Sequence, residues 1–274
     1  MTRRVYALGG AAILALLVFT VVLWRMRAEA PAPMPPMATA PEAPAPAPVD
    51  PPPSTAAHYP VDAKAANVPS RAAFDLQAAL DNLLGSKTVE SLVRLDDFAR
   101  RLAATIDNLG RSHAPAGLWP VTPVGGRFSV EERDGVTYIG PDNGLRYTPY
   151  VLLFETVDLR QAVAIYVRIY PTLQRAYEEL GYPGGYLNDR LVQVIDQLLA
   201  TPEFDTPLAV RLPSIEGPIK PERPWVLYEF VDPQLQSLTA GQRLLLRMGS
   251  VNERRIKARL AEVRRLVTTL RSKH

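Results

Sequence analysis

The sequence predicts a predominantly helical α+β fold with an N-terminal transmembrane helix, a proline-rich tether and a single globular domain carrying a β-hairpin and a C-terminal helical hairpin. Three observations carry that expectation. Val5 to Trp24 is an unbroken run of uncharged, mostly apolar residues. Twelve of the chain's 27 prolines fall between residues 31 and 60. From residue 70 onward apolar residues recur every three to four positions, apart from a short stretch of period two around an Asp-Gly pair.

The apolar run comes first. Twenty residues of helix span about 30 Å, the thickness of a bilayer's hydrocarbon core. Ala28-Glu29-Ala30 has the spacing of a signal-peptidase site. However, the run is longer than a signal core and ends in Arg25-Met26-Arg27, so it reads as an uncleaved anchor. Arg3 and Arg4 on one side nearly balance Arg25 and Arg27 on the other. A short basic start before a long C-terminal portion places that portion outside, which in a bacterium is the periplasm. The expected divisions are a cytoplasmic tip at 1–4, a transmembrane helix at 5–24, a Pro/Ala-rich disordered tether at 25–69 and a globular periplasmic domain at 70–274. As polyproline II at about 3.1 Å per residue, the stretch from 31 to 53 reaches roughly 70 Å. The chain has no cysteine, which excludes lipoprotein processing and thiolate metal sites and fits an oxidising compartment.

Within the domain, Ser70 is the expected N-cap of a helix through Leu84, with Gly85 as its stop. A second helix is expected from about Asp96 to Leu109, on Phe98, Leu102, Ile106 and Leu109. Residues 127–133 and 136–140 read as two strands joined at Asp134-Gly135, the pair that supplies the positive φ angles of a type I′ turn. The longest helical pattern runs from about Glu155 to Leu180, with Pro171 expected to kink or divide it. A further helix is expected over Leu187–Leu199. Leu208–Leu212 and Trp225–Phe230 read as two more strands. Thr239 should cap a helix ending at Met248, with Gly249 as a left-handed C-cap. A final helix to about Leu270 carries Ile256, Leu260, Val263, Val267 and Leu270 on one stripe.

Two features bear on function. Residues 251–274 hold eight Lys or Arg and two Glu, a net of +6 in a chain of +3 overall. Such a face suits an anionic lipid surface, an acidic partner or nucleic acid, or is simply a solvated face. Nine tyrosines fall between residues 138 and 228. They form either a core with polar tips or a groove for a sugar chain or peptide. The candidate partner-binding residues are therefore Tyr147, Tyr166, Tyr170 and Tyr177, flanked by Arg146, Asn188 and Arg190, together with Arg254, Arg255, Lys257 and Arg259. No catalytic, cofactor-binding or metal-ligating set is expected. His58, His113 and His274 do not stand at ligand spacing from one another. Adjacent carboxylates such as Glu131-Glu132 point apart on either a helix or a strand. Gly85-Ser86-Lys87-Thr88 lacks the first glycine of a phosphate loop and reads as a helix C-cap and turn.

Several longer runs have a familiar order. They are Thr105 to Leu109, Tyr170 to Gly185, Asn188 to Leu191, Leu198 to Pro202, Phe230 to Gln234 and Arg247 to Asn252. Together they resemble an uncharacterised proteobacterial family, the domain of unknown function numbered 3014, over nearly all of 70–274. Ser250 and Val251 depart from that family's usual Pro-Glu. The resemblance implies an inner-membrane protein with a periplasmic domain, and it implies no activity and no site residues.

The expected function is that of a non-enzymatic binding or scaffold module of the cell envelope, meeting an envelope protein or the cell wall. One alternative is a cell-wall hydrolase or other envelope enzyme, which requires two carboxylates about 5–9.5 Å apart in a cleft, one of them desolvated. Another is a cytoplasm-facing binder of nucleic acid or anionic lipid, with steep salt dependence.

Overall fold

The computed structural model describes residues 56–62, 74–214 and 224–270. The expected transmembrane helix at 5–24 and nearly all of the expected tether lie outside the described residues. Among the described residues no helix is long and apolar enough to cross a membrane.

The architecture is predominantly helical. Helix α1 (Leu76–Leu84) is capped by Asp75, whose carboxylate accepts from the Ala78 amide. Ser70, the expected cap, lies outside the described residues. Gly85, at φ 83°, then turns the chain into α2 (Ser86–Leu92), where only a turn was expected. Helix α3 (Phe98–Leu109) follows the expected stripe and buries Phe98, Leu102, Ile106 and Leu109. Strands β1 (Val130–Arg133) and β2 (Val136–Ile139) pair antiparallel, from Val130 opposite Ile139 to Arg133 opposite Val136. Asp134 and Gly135 take φ of 51° and 75°, the type I′ pattern.

A 3₁₀ helix (Pro141–Tyr147) leads into α4 (Thr148–Thr156). Helix α4 was not expected; after a break, helix α5 (Leu159–Glu179) takes up nearly all of the expected 155–180 span as a single helix. Val157 is extended, and Asp158 caps α5 by accepting from the amides of Arg160 and Gln161. Pro171 does not divide α5, which runs through it. The ring lies on the exposed side, where water can serve the carbonyl one turn back.

Helix α6 spans Leu187–Leu199, as expected. The two later strands are shorter than expected. Only Val210–Arg211 (β3) and Glu229–Phe230 (β4) pair, and Pro224–Val226 forms a 3₁₀ turn. A bridge between Tyr138 and Ala209 joins the two strand pairs. Helices α7 (Pro233–Ser237), α8 (Ala240–Met248) and α9 (Ser250–Thr268) complete the chain. Thr239 and Gln242 cap α8 reciprocally. Gly249 takes the expected positive φ of 81°, but its ψ of 153° is extended rather than left-handed helical.

Helices α3, α5, α6 and α9 pack on one another around the main core, which includes Leu102, Ile106, Leu173, Val194, Ile195 and Leu260. Val210, Phe230, Leu235 and Leu246 form a second, smaller core beneath the strands, with Phe128 and Tyr228 against it. The molecule is thus a helical body with a small β lobe attached through α8.

Candidate functional site

The sequence-based candidates fall in two places. The tyrosines lie within the helical body. Tyr147 and Tyr166 are fully buried, and Tyr170 and Tyr177 nearly so. Tyr166 donates its hydroxyl hydrogen to Asn188 Oδ1 at 3.1 Å, and its ring meets Tyr170 edge-on at 5.5 Å. Tyr177 stacks on Tyr182 at 4.7 Å. Burial pushes Tyr147, Tyr170 and Tyr177 up to about 12. All four rings belong to the main core, which is the core alternative. For Tyr166, Tyr170 and Tyr177, the periodicity that placed them on one helix is the periodicity of a core face.

The flanking polar residues are also engaged internally. Arg146 donates to Asn143 Oδ1 at 2.9 Å and to the carbonyls of Gly125 and Gly126. Arg190 donates to Asp107 Oδ1 and to the Asp107 carbonyl, both at 2.9 Å. Asn188, fully buried, holds Tyr59 and Val267 by their carbonyls.

The basic face of α9 meets carboxylates from other elements. Arg254 pairs with Asp205 at 3.0 Å, and Arg255 pairs with Glu155. Lys257 sits between Glu203 at 2.9 Å and Glu253 at 3.2 Å. Arg259 donates to the carbonyls of Phe154 and Val157 and pairs with Glu262 at 2.6 Å. These cations hold α9 against α4 and the 203–205 loop. Reversing all four charges would therefore break inter-element contacts as well as change the surface.

The described residues line a groove that the sequence did not point to. It lies where the β lobe meets the helical body and encloses about 520 Å³. One wall is the 3₁₀ helix and the end of β2, the other is the 204–208 loop, and the α8–α9 junction closes it. Two buried asparagines fix the walls. Asn143 Nδ2 donates to the Arg247 carbonyl at 2.7 Å, and Asn252 Nδ2 donates to the Gly144 carbonyl at 2.9 Å. The approach is close enough that a Cβ on Gly144 would stand 3.0 Å from the Met248 carbonyl oxygen. With Asn143 and Tyr147 turned inward, Leu145 is left 67% exposed at the groove, and Val251, which also lines it, is 64% exposed.

Two buried ionic groups adjoin the groove. Glu253 is 1% exposed, and burial raises its carboxyl above the usual range against the opposing pull of Lys257. Because Lys257 contacts both Glu253 and Glu203, those two carboxylates lie within about 6 Å of each other, a separation set by one shared ammonium. The Arg247 guanidinium stands 5.3 Å from the Phe230 ring centre and donates to the Tyr228 carbonyl at 2.8 Å. Desolvation pulls it down to about 10. Among the described residues no three His, Asp or Glu side chains gather as metal ligands. The only advance signal for the groove was the Gly249 break between two amphipathic helices, which marks a corner but not what lines it.

A family model described as "Protein of unknown function (DUF3014)" matches residues 98–264, more than half of the chain. No curated protein and no solved structure matches it.

Proposed function

The chain belongs to the DUF3014 family of proteins of unknown function, and from that premise we propose that it is a single-pass inner-membrane protein whose domain docks an envelope protein in the periplasm without chemistry of its own. Val5–Trp24 supports the anchor by length and lack of charge, and the proline-rich segment behind it supports a spacer. The groove carries the docking reading. Leu145 and Val251 present large apolar side chains to solvent at a preformed concavity, with Ile139, Leu208 and Met248 among its lining residues. An apolar segment of a partner, flanked by polar residues that meet Arg133 and Asp205, fits that lining.

The experiment places a photo-crosslinkable residue at position 145, 251 or 212 in cells and fuses compartment-specific reporters after residue 274. The expected result is one shared envelope partner at 145 and 251, none at exposed Leu212, and loss of the product on Leu145→Asp. A periplasmic reporter with no product at either groove position removes the groove from the account. A cytoplasmic reporter overturns the location and turns attention to nucleic acid or anionic lipid.

The buried carboxylate favours a second reading, an envelope hydrolase with Glu253 as its acid. The Lys257 ammonium against Glu253 argues for a structural role instead. Cell-wall cleavage by the purified chain, lost on Glu253→Gln, would transfer the function to that reading.

A further inference from the structure

Residues 56–62 lie far in sequence from the elements they touch, yet side chains of the helical body grip their backbone. At the start of α6, Asp189 accepts from two consecutive amides, His58 N at 2.9 Å and Tyr59 N at 2.8 Å. Asn188 donates Nδ2 to the Tyr59 carbonyl at 2.8 Å and to the Val267 carbonyl at 3.1 Å, while its Oδ1 accepts from Tyr166. Both ends of that amide are engaged, so its orientation is fixed before any segment arrives. The segment's side chains alternate. Tyr59 and Val61 pack against the main core, and His58 and Pro60 face solvent. Fixed polar groups that bond the backbone, with side chains seated beside them, are how proteins take up peptide segments.

We propose that Asn188 and Asp189 form a peptide-binding site whose ligand is an aromatic-proline-aliphatic segment bent at its aromatic end, supplied in cis by the chain's own Tyr59-Pro60-Val61. Proline suits the middle position because its missing N–H is not asked to bond there. The cis source follows from the ends of the connection. Asp62 and Phe74 line the same concavity beside α5, so the segment ends on the face where the helical body begins. With the site filled, the proline-rich stretch terminates at Tyr59. With it empty, the stretch terminates at α1, and the sixteen residues from Pro60 to Asp75 add up to about 50 Å of reach. The inference stands apart from the membrane reading.

The test uses the full chain carrying Val61→Cys, a unique thiol in a protein without cysteine. Maleimide labelling is expected to be at least tenfold slower than in the same chain with Asp189→Ala. It is also expected to accelerate when a synthetic peptide copying residues 56–62 is added at millimolar concentration. His58→Pro, which removes one amide bonded to Asp189 and changes only a side chain that faces solvent, should likewise expose the thiol and separates release from misfolding. Equal labelling in all backgrounds overturns the site. Protection that appears only at concentrations where sedimentation shows a dimer overturns the cis assignment and gives the segment to a second copy.

Discussion

Tyr147 is a phenol held where water cannot reach it. Its hydroxyl has no partner in hydrogen-bonding geometry, although Asn143 stands beside it. The folded state therefore keeps it neutral up to about 12, against about 10 in an unfolded chain. A folded value raised above the unfolded one gives stability that is fully present below pH 10 and lost as pH rises from 10 to 12. Two units correspond to at most about 2.7 kcal/mol. Tyr147→Phe is expected to leave stability at pH 7 unchanged or slightly higher, and to lessen alkaline destabilisation, as read by urea unfolding at a series of pH values. Such a residue also shows what was hidden in the sequence. Tyrosine is apolar in body and polar at its tip, so spacing places it on a face without saying whether that face is covered. The α9 cations were hidden for another reason. Their partners Glu155, Asp196, Glu203 and Asp205 lie 49 or more residues away in sequence, and no local pattern records a pairing made by tertiary packing.

Elements whose termination is chemical were the most legible. The Asp-Gly turn, the Thr239 cap of α8 and the span of α6 each follow from a residue's own backbone preference or from a clean apolar period. Helix α2 was not legible, because Gly85 can end a helix or pivot into the next, and seven residues are too few for a period to declare itself. Helix α4 was not read, and α5 starts a few residues later than its apolar pattern suggested, because Asp158 sets the start with a cap bonded to two amides. Helix contacts make one element-scale prediction. A Cβ on Gly241 would lie 2.7 Å from Leu198 Cδ2 and 3.1 Å from the Leu109 carbonyl oxygen, where α8 crosses α3 and α6. Gly241→Ala is expected to destabilise the fold by about 1–3 kcal/mol, with the loss seen in the denaturant midpoint. An unchanged midpoint would mean that the three helices can separate freely at that crossing.

At the scale of the molecule, two cores of unequal size share one chain, and Arg247 reaches from the helical body into the smaller one. The lobe's strands are short and its buried apolar set is small, so it should open without the body. Amide exchange in strands β1 to β4 is expected to be faster than in the centres of α3, α5 and α6 by at least tenfold. Equal protection throughout would mean that the two cores unfold as one. The groove was invisible to sequence reading because it belongs to neither part alone and exists only where they meet. The ion pairs of α9 have a further consequence at a distance. The helix carries six cations and two glutamates, and the four carboxylates from elsewhere that lie against it bring the set to zero. Beyond a Debye length of about 8 Å at physiological ionic strength, little field is left to draw an anionic polymer in. A helix that looks strongly basic as a string of letters is, to an approaching molecule, nearly neutral ground.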